Sequence, residues 1–132
     1  MNSYSNIKNF IKVMVELTEE ACIRKNVDIS LLKGLQRSLH EKTDLEELAN
    51  LLSMAGNLTR LKILFLLAQA PELCVCDMAD VTGMTVSSIS HQLSKLRAYG
   101  LIAKRREGQT IYYRLQETPF TKVLKQLLTL ED

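Results

Sequence analysis

The sequence predicts a mainly α fold with a two-stranded β wing, a winged helix-turn-helix. Three observations support this. Two helical stretches, Val75 to Val81 and Val86 to about Tyr99, flank a short turn containing Gly83, the arrangement of a helix-turn-helix. After Gly100 the apolar period falls from that of a helix to near two, and Gly108 supplies a turn between residues 101–105 and 110–114, as a hairpin requires. Before residue 71, apolar residues recur at the three-and-four spacing of helices.

Helices fill the first half of the chain. Ile7, Phe10, Ile11, Met14, Val15, Leu17, Ala21 and Cys22 share one face of a first helix, with Ser3 or Ser5 as its cap. Residues 25–28 break that pattern, and Leu31, Leu32, Leu35 and Leu39 form a second helix capped by Asp28 or Ser30. Thr43 and Glu46 have the spacing of a capping box, with Leu45, Leu48, Ala49 and Leu52 as the stripe of a third helix closed near Gly56. Leu58, Leu61, Leu64, Phe65 and Ala68 carry a fourth helix until Pro71 stops it. Thr85 caps the second helix of the helix-turn-helix, in which Val86, Ile89, Leu93 and Leu96 face the core. Thr118 and Pro119 open a last helix with the stripe Phe120, Val123, Leu124, Leu127 and Leu128. That stripe and the first helix exceed what one small core needs, so a homodimer through the N- and C-terminal helices is expected. Residues 1–44 then form an N-terminal helical extension, and residues 45–132 the winged helix-turn-helix domain with its dimerisation helix.

Composition excludes several classes. The chain has 132 residues, 46% of them hydrophobic and 24% charged, with five Gly and two Pro, which is neither a disordered nor a fibrous composition. The longest apolar run, Ile63 to Ala68, is too short to span a membrane. Nothing at the start reads as an export signal, and three cysteines make a poor disulfide framework, so reduced thiols and a cytoplasmic location are expected. There is no nucleophile–base pair, phosphate loop or paired acid/base carboxylates, so no enzyme is expected.

The net charge of +2 hides a segregation: residues 1–83 carry −2, residues 84–116 carry +5 and the tail carries −1. A concentrated positive excess suits a phosphate backbone, because each Lys or Arg at a phosphate releases condensed counterions. Ser87, Ser88, Ser90, His91, Gln92 and Lys95 lie on the polar side of the second helix, where Gln can pair with adenine edges and Ser with bases or phosphates. Lys104, Arg105, Arg106 and Arg114 in the hairpin can grip the backbone beside the groove. Double-stranded DNA is the expected partner, and a winged-helix module that binds only proteins is the alternative. Cys74 and Cys76 stand two residues apart where a helix begins, so their sulfurs can converge on one ion, with Asp77 near enough to add an oxygen. Buried apolar cysteines are the competing reading for this pair, and the default one for Cys22.

With these residues in view, the chain resembles the ArsR/SmtB family of bacterial metal-responsive repressors from about Leu48 to Leu128. The resemblance rests on Glu72-Leu73-Cys74-Val75-Cys76-Asp77-Met78-Ala79, on Ser87-Ser88-Ile89-Ser90-His91-Gln92-Leu93, and on Arg105-Arg106-Glu107-Gly108-Gln109 followed by Ile111-Tyr112-Tyr113. It implies a dimer whose apo form holds operator DNA and whose metal-bound form releases it. The zinc ligands that some members carry on the last helix are missing: Glu117-Thr118-Pro119 and Leu130-Glu131-Asp132 stand there without a histidine. The resemblance to the cadmium/lead and arsenite sensors implies a site of Cys74, Cys76 and Cys22 of the partner subunit, with Asp77 as a fourth ligand. Such a thiolate shell suits Cd(II), Pb(II), As(III) or Zn(II). A redox- or persulfide-sensing repressor of the same fold is the alternative for those thiols.

Overall fold

Polar caps and glycines cut the chain into its elements. The computed structural model describes residues 8–14 and 23–130. The chain divides into two units, residues 1–42 and 43–132. In the first unit, residues 8–14 are helical, and α1 runs Ile29–Glu41. The Asp28 side chain accepts the Leu31 amide at 2.9 Å, so Asp28 rather than Ser30 is the cap. No residue of α1 is buried; Leu31, Leu32, Leu35 and Leu39 form an exposed apolar stripe. The expected caps Ser3 and Ser5, and Cys22, lie outside the described residues.

The second unit contains α2 (Leu45–Ala55), α3 (Leu58–Gln69), β1 (Leu73–Cys74), α4 (Val75–Thr82), α5 (Val86–Ala98), β2 (Ile102–Glu107), β3 (Thr110–Leu115) and α6 (Pro119–Leu128). The axes of α2 and α3 meet at 90°. Asn57 caps α3 through the Arg60 amide, Thr85 caps α5 through the Ser88 amide, and Thr118 caps α6 through the Thr121 amide. The expected capping box at Thr43 is not formed. The helix starts one residue later, with Asp44 at the cap, so Glu46 is its second residue and cannot reach back from the third.

Ile63, Leu64 and Leu67 of α3, Met78 and Ala79 of α4, and Ile89, Leu93 and Leu96 of α5 form the core, closed by Leu101, Ile102 and Leu124. Each buried Leu, Ile or Met side chain among them contributes about 1.5–3 kcal/mol by leaving water. Some expected faces are rotated. Val86 is 48% exposed, because it precedes the turn of α5 that meets α3 and α4. Leu58 and Phe65 of α3 and Leu45, Leu48 and Leu52 of α2 are exposed as well, while Leu51, Met54 and Leu61 pack on the core. The stripe of α6 splits: Phe120, Leu124 and Leu128 turn inward, while Val123 and Leu127 remain outside.

The predicted hairpin is present, turning at Gly108 with φ +61; its register sets Arg105 opposite Tyr112 and Glu107 opposite Thr110. A third strand joins it. Leu73 and Cys74 pair antiparallel with Tyr113 and Tyr112, giving the sheet order β1-β3-β2. Two residues are too few to show a period of two, so this strand has no signature in the sequence.

Gly83, between α4 and α5, has φ +72 with open space where a Cβ would stand. Gly83→Ala is therefore expected to cost about 1 kcal/mol of stability through backbone strain alone, and Gly83→Asn less, because Asn tolerates the left-handed region. Urea denaturation midpoints of the three proteins check this; equal midpoints for Ala and Gly would overturn it.

Candidate functional site

Burial of Ile89, Leu93 and Leu96 decides which arc of α5 faces outward. At about 100° per residue, Ser87, His91, Ser94 and Lys95 lie on the side away from that ridge, and all four are exposed. Ser88 and Ser90 flank it and are half-buried. Gln92 is also half-buried, and its Oε1 accepts from Arg60 Nη1 at 3.0 Å. Arg60 Nε in turn donates to the Met54 carbonyl at 2.6 Å, so one guanidinium joins the end of α2, the start of α3 and the flank of α5. A bidentate contact from Gln92 to adenine would have to share the oxygen that Arg60 already occupies.

The wing cations differ in their surroundings. Lys104, Arg106 and Arg114 are exposed and form no ion pair among the described residues; Arg106 donates only to the Gly108 carbonyl at 3.0 Å. Arg105 is held on three sides. Its Nε and Nη2 each donate to the Glu72 carboxylate at 2.8 Å, its Nη1 donates to Glu107 at 2.9 Å, and its guanidinium carbon lies 4.7 Å from the centre of the Tyr112 ring. The hydrogen bond from Arg105 is the largest cause holding the Glu72 carboxyl below its ordinary pKa, and hydrogen bonds to Glu72 and then Glu107 raise that of Arg105.

The cysteines sit where β1 becomes α4. Cys74 is the last residue of β1 and the N-cap of α4; it is half-buried, and Cys76 is exposed one residue into the helix. Asp77 Oδ2 accepts the Cys74 backbone amide at 3.2 Å, closing a capping box. The Cys74 thiol first, and its backbone amide second, lower the Asp77 pKa. Asp77 is thus already engaged in ending the strand and starting the helix. Among the described residues no group of three His, Cys, Asp or Glu side chains is placed to hold a metal ion. The structure brings Cys74, Cys76 and Asp77 into one turn; Cys22 lies outside the described residues. A cleft of about 740 Å³ elsewhere is lined by Leu67, Pro71, Arg114, Thr121, Lys122 and Lys125 and contains neither described cysteine.

Arg60, Glu72 and Tyr112 are positions that the sequence does not single out as site residues. Partners 32 and 33 positions apart have no local signal; the register of β2 and β3 sets Arg105 beside Tyr112.

Residues 57–104, from the cap of α3 to the start of β2, match the family model described as bacterial regulatory protein, arsR family. A Halobacterium salinarum protein, provisionally named arsenical resistance operon repressor ArsR2, is 42% identical over 91 residues, 68% of this chain and 70% of its own length. The CadC homolog of Staphylococcus aureus, a cadmium resistance transcriptional regulatory protein, is 39% identical over 59 residues, 45% of this chain and 49% of its own. Among solved structures, the transcriptional repressor BigR from Xylella fastidiosa superposes with a TM-score of 0.62 at 31% identity, covering 70% of this chain and 90% of that one.

The Arg60 bridge leads to a direct expectation. Arg60→Ala removes charge-assisted bonds to Met54 and Gln92 and should cost about 1.5–3 kcal/mol in chemical denaturation. Arg60→Lys should recover little of it, because one ammonium cannot reproduce the planar fork between two acceptors. Full recovery by Lys would overturn this account.

Proposed function

This chain belongs to the ArsR family of bacterial regulatory proteins, and we propose that it is a thiol-gated repressor releasing operator DNA when a thiophilic ion binds. The family comprises DNA-binding winged helix-turn-helix regulators, among them repressors of metal and arsenical resistance operons, and this chain is a transcriptional regulator rather than an enzyme. The reading of its ligand rests on one observation: two cysteines occupy the junction between the strand paired to the wing and the first helix of the helix-turn-helix. A ligand held there touches both the strand paired to the wing and the helix that precedes α5.

Cys74 and Cys76 supply two thiolates, and the start of a helix favours the thiolate form. Two sulfurs within one turn, one exposed and one half-buried, fit a soft ion that takes its remaining donor from elsewhere. We assign that donor to Cys22 of the partner subunit, with Asp77 able to offer its Oδ1 while Oδ2 accepts the Cys74 amide. As(III), Cd(II), Pb(II) and Zn(II) are the candidate ions, and the names of the arsenical and cadmium regulators above favour the first two. When bound, the ion supplies a cross-link between thiolates; the protein supplies the coupling to DNA.

The exposed Val123 and Leu127 of α6 and Phe10, Ile11 and Met14 near the N-terminus support a homodimer through the terminal helices. In this assignment residues 1–44 serve dimerisation and carry one thiol, and residues 45–132 bind DNA. Ser87, Ser88, Ser90, His91, Gln92 and Lys95 of α5 meet the major groove, with Gln92 positioned by Arg60. Lys104, Arg106 and Arg114 meet phosphates beside it. A dimer sets its two copies of α5 about one DNA turn apart. A ligand that alters this spacing alters affinity, and the effect is reciprocal. The exposure of Cys76 favours a second reading, in which persulfide or peroxide modifies the thiols.

Titrating the reduced protein on DNA from upstream of its own gene with the four ions, followed by anisotropy, should give release at stoichiometric ion. Cys74→Ser and Cys76→Ser should bind the same DNA and fail to release it. Normal release by both variants would place the ligand elsewhere; release by peroxide or persulfide and by no ion would favour the second reading.

Lys104→Ala and Arg106→Ala should each weaken binding to all DNA and reduce the slope of log affinity against log salt by about 0.9 for each phosphate no longer neutralised. Unchanged slopes would remove the wing from the DNA-binding surface.

A further inference from the structure

We propose that Glu72 is the positioning residue through which the cysteine segment sets the wing, and that it does so by withholding Arg105 from DNA. The proposal rests on the reading that Cys74 and Cys76 bind the inducer.

The register of the sheet carries it. Cys74 pairs with Tyr112, and Tyr112 pairs with Arg105, so one row crosses all three strands from the proposed thiol site to the wing. Side chains alternate across a strand, and residues paired in register share a face. Cys74, Tyr112 and Arg105 therefore stand on the same face, and Glu72, two residues before Cys74, reaches Arg105 from that side. Arg105 makes three hydrogen bonds of 2.8–3.1 Å with the Glu72 carboxylate. These bonds tie the residue that leads into β1 to β2 across β3.

Their geometry has an electrostatic consequence. Arg105 is flanked by Glu72 and Glu107, so this part of the wing is not the run of free cations that the sequence suggests. A guanidinium engaged bidentately presents fewer donors to phosphate and releases fewer counterions when DNA arrives. The Arg105 and Glu72 side chains remain 43% and 29% accessible, so the pair is open to exchange partners rather than locked in a core.

The chain also limits how Cys74 can move. It is at once a strand residue, the N-cap of α4 and the donor to Asp77. A ligand that fixes Cys74 also fixes the two-residue strand β1 and the Glu72 beside it. In this proposal the Glu72–Arg105 pair is therefore tighter in the liganded state than in the free one, so a bound ion withholds Arg105 more completely and weakens DNA binding, which is what coupling requires.

The test uses the full-length protein with DNA from upstream of its own gene, measuring affinity across a range of potassium chloride with and without As(III) or Cd(II). Glu72→Gln should tighten apo binding at low salt and steepen the salt slope by about 0.9 per protomer, as Arg105 becomes available to a phosphate. Combining it with Arg105→Gln should return the slope to the wild-type value, which a merely structural role for Glu72 would not do. The factor by which the ion weakens DNA binding should fall about fivefold or less in Glu72→Gln, the scale of an exposed pair. It should recover in the charge exchange Glu72→Arg with Arg105→Glu. Circular dichroism confirms that each variant is folded.

A wild-type slope in Glu72→Gln, or a steeper slope that persists in the double variant, overturns the withholding of Arg105. Wild-type ion response in Glu72→Gln overturns the coupling role and leaves the thiol reading intact. Failure of every ion to release DNA from the wild type overturns the thiol reading and with it the coupling role, and the salt slopes then decide the withholding of Arg105 by themselves.

Discussion

Burial of one ridge of α5 governs how the polar face of this protein is presented. Ile89, Leu93 and Leu96 are completely removed from water, and rotating α5 to expose any of them would cost roughly the burial energy of an aliphatic side chain. That penalty fixes the orientation of a helix whose other arc carries serines, a histidine and a lysine. The polar arc is therefore turned to solvent in a defined direction without a dedicated contact of its own. Arg60 adds to this by fastening the flank of α5, through Gln92, to the helices before it.

The second organising feature is the brevity of β1. With two residues it adds little to the sheet by itself, yet it converts the segment between α3 and α4 from a loop into a strand registered against the wing. A loop would let the cysteines and the hairpin move independently. A strand whose last residue is also a helix cap transmits displacement in both directions, because shifting it breaks ladder bonds on one side and capping bonds on the other. The carboxylates along this stretch, Glu72 and Asp77, are both taken up by neighbouring donors, so the acidic residues around the thiols organise the backbone and the wing.

Charge and apolar surface are divided in a related way. The segment from 84 to 116 carries the whole of the positive excess, but pairing with Glu72 and Glu107 neutralises one of its cations locally. Apolar residues left outside the core are concentrated on α1, α2 and the outer side of α6. The positive segment suits a polyanion, and each unit keeps an apolar face of its own.

The order of the helices and of the two hairpin strands, the glycine turns and most of the expected caps are legible in the sequence, because each depends on residues within a few positions of one another. Thr85, Gly83, Gly108 and Thr118 act locally, and their roles can be read without any fold. Which face of each helix is buried is legible only where a single narrow stripe exists, as in Ile89, Leu93 and Leu96. On α2, α3 and α6 several apolar faces compete, and the packing of neighbours chooses among them. Only the assembled fold makes Cys74 a strand residue opposite Tyr112, gives Gln92 its bond from Arg60 and sets Arg105 against Glu72. These pairings join residues more than thirty positions apart, and a periodicity that describes one element contains no information about which side chain another element will bring against it.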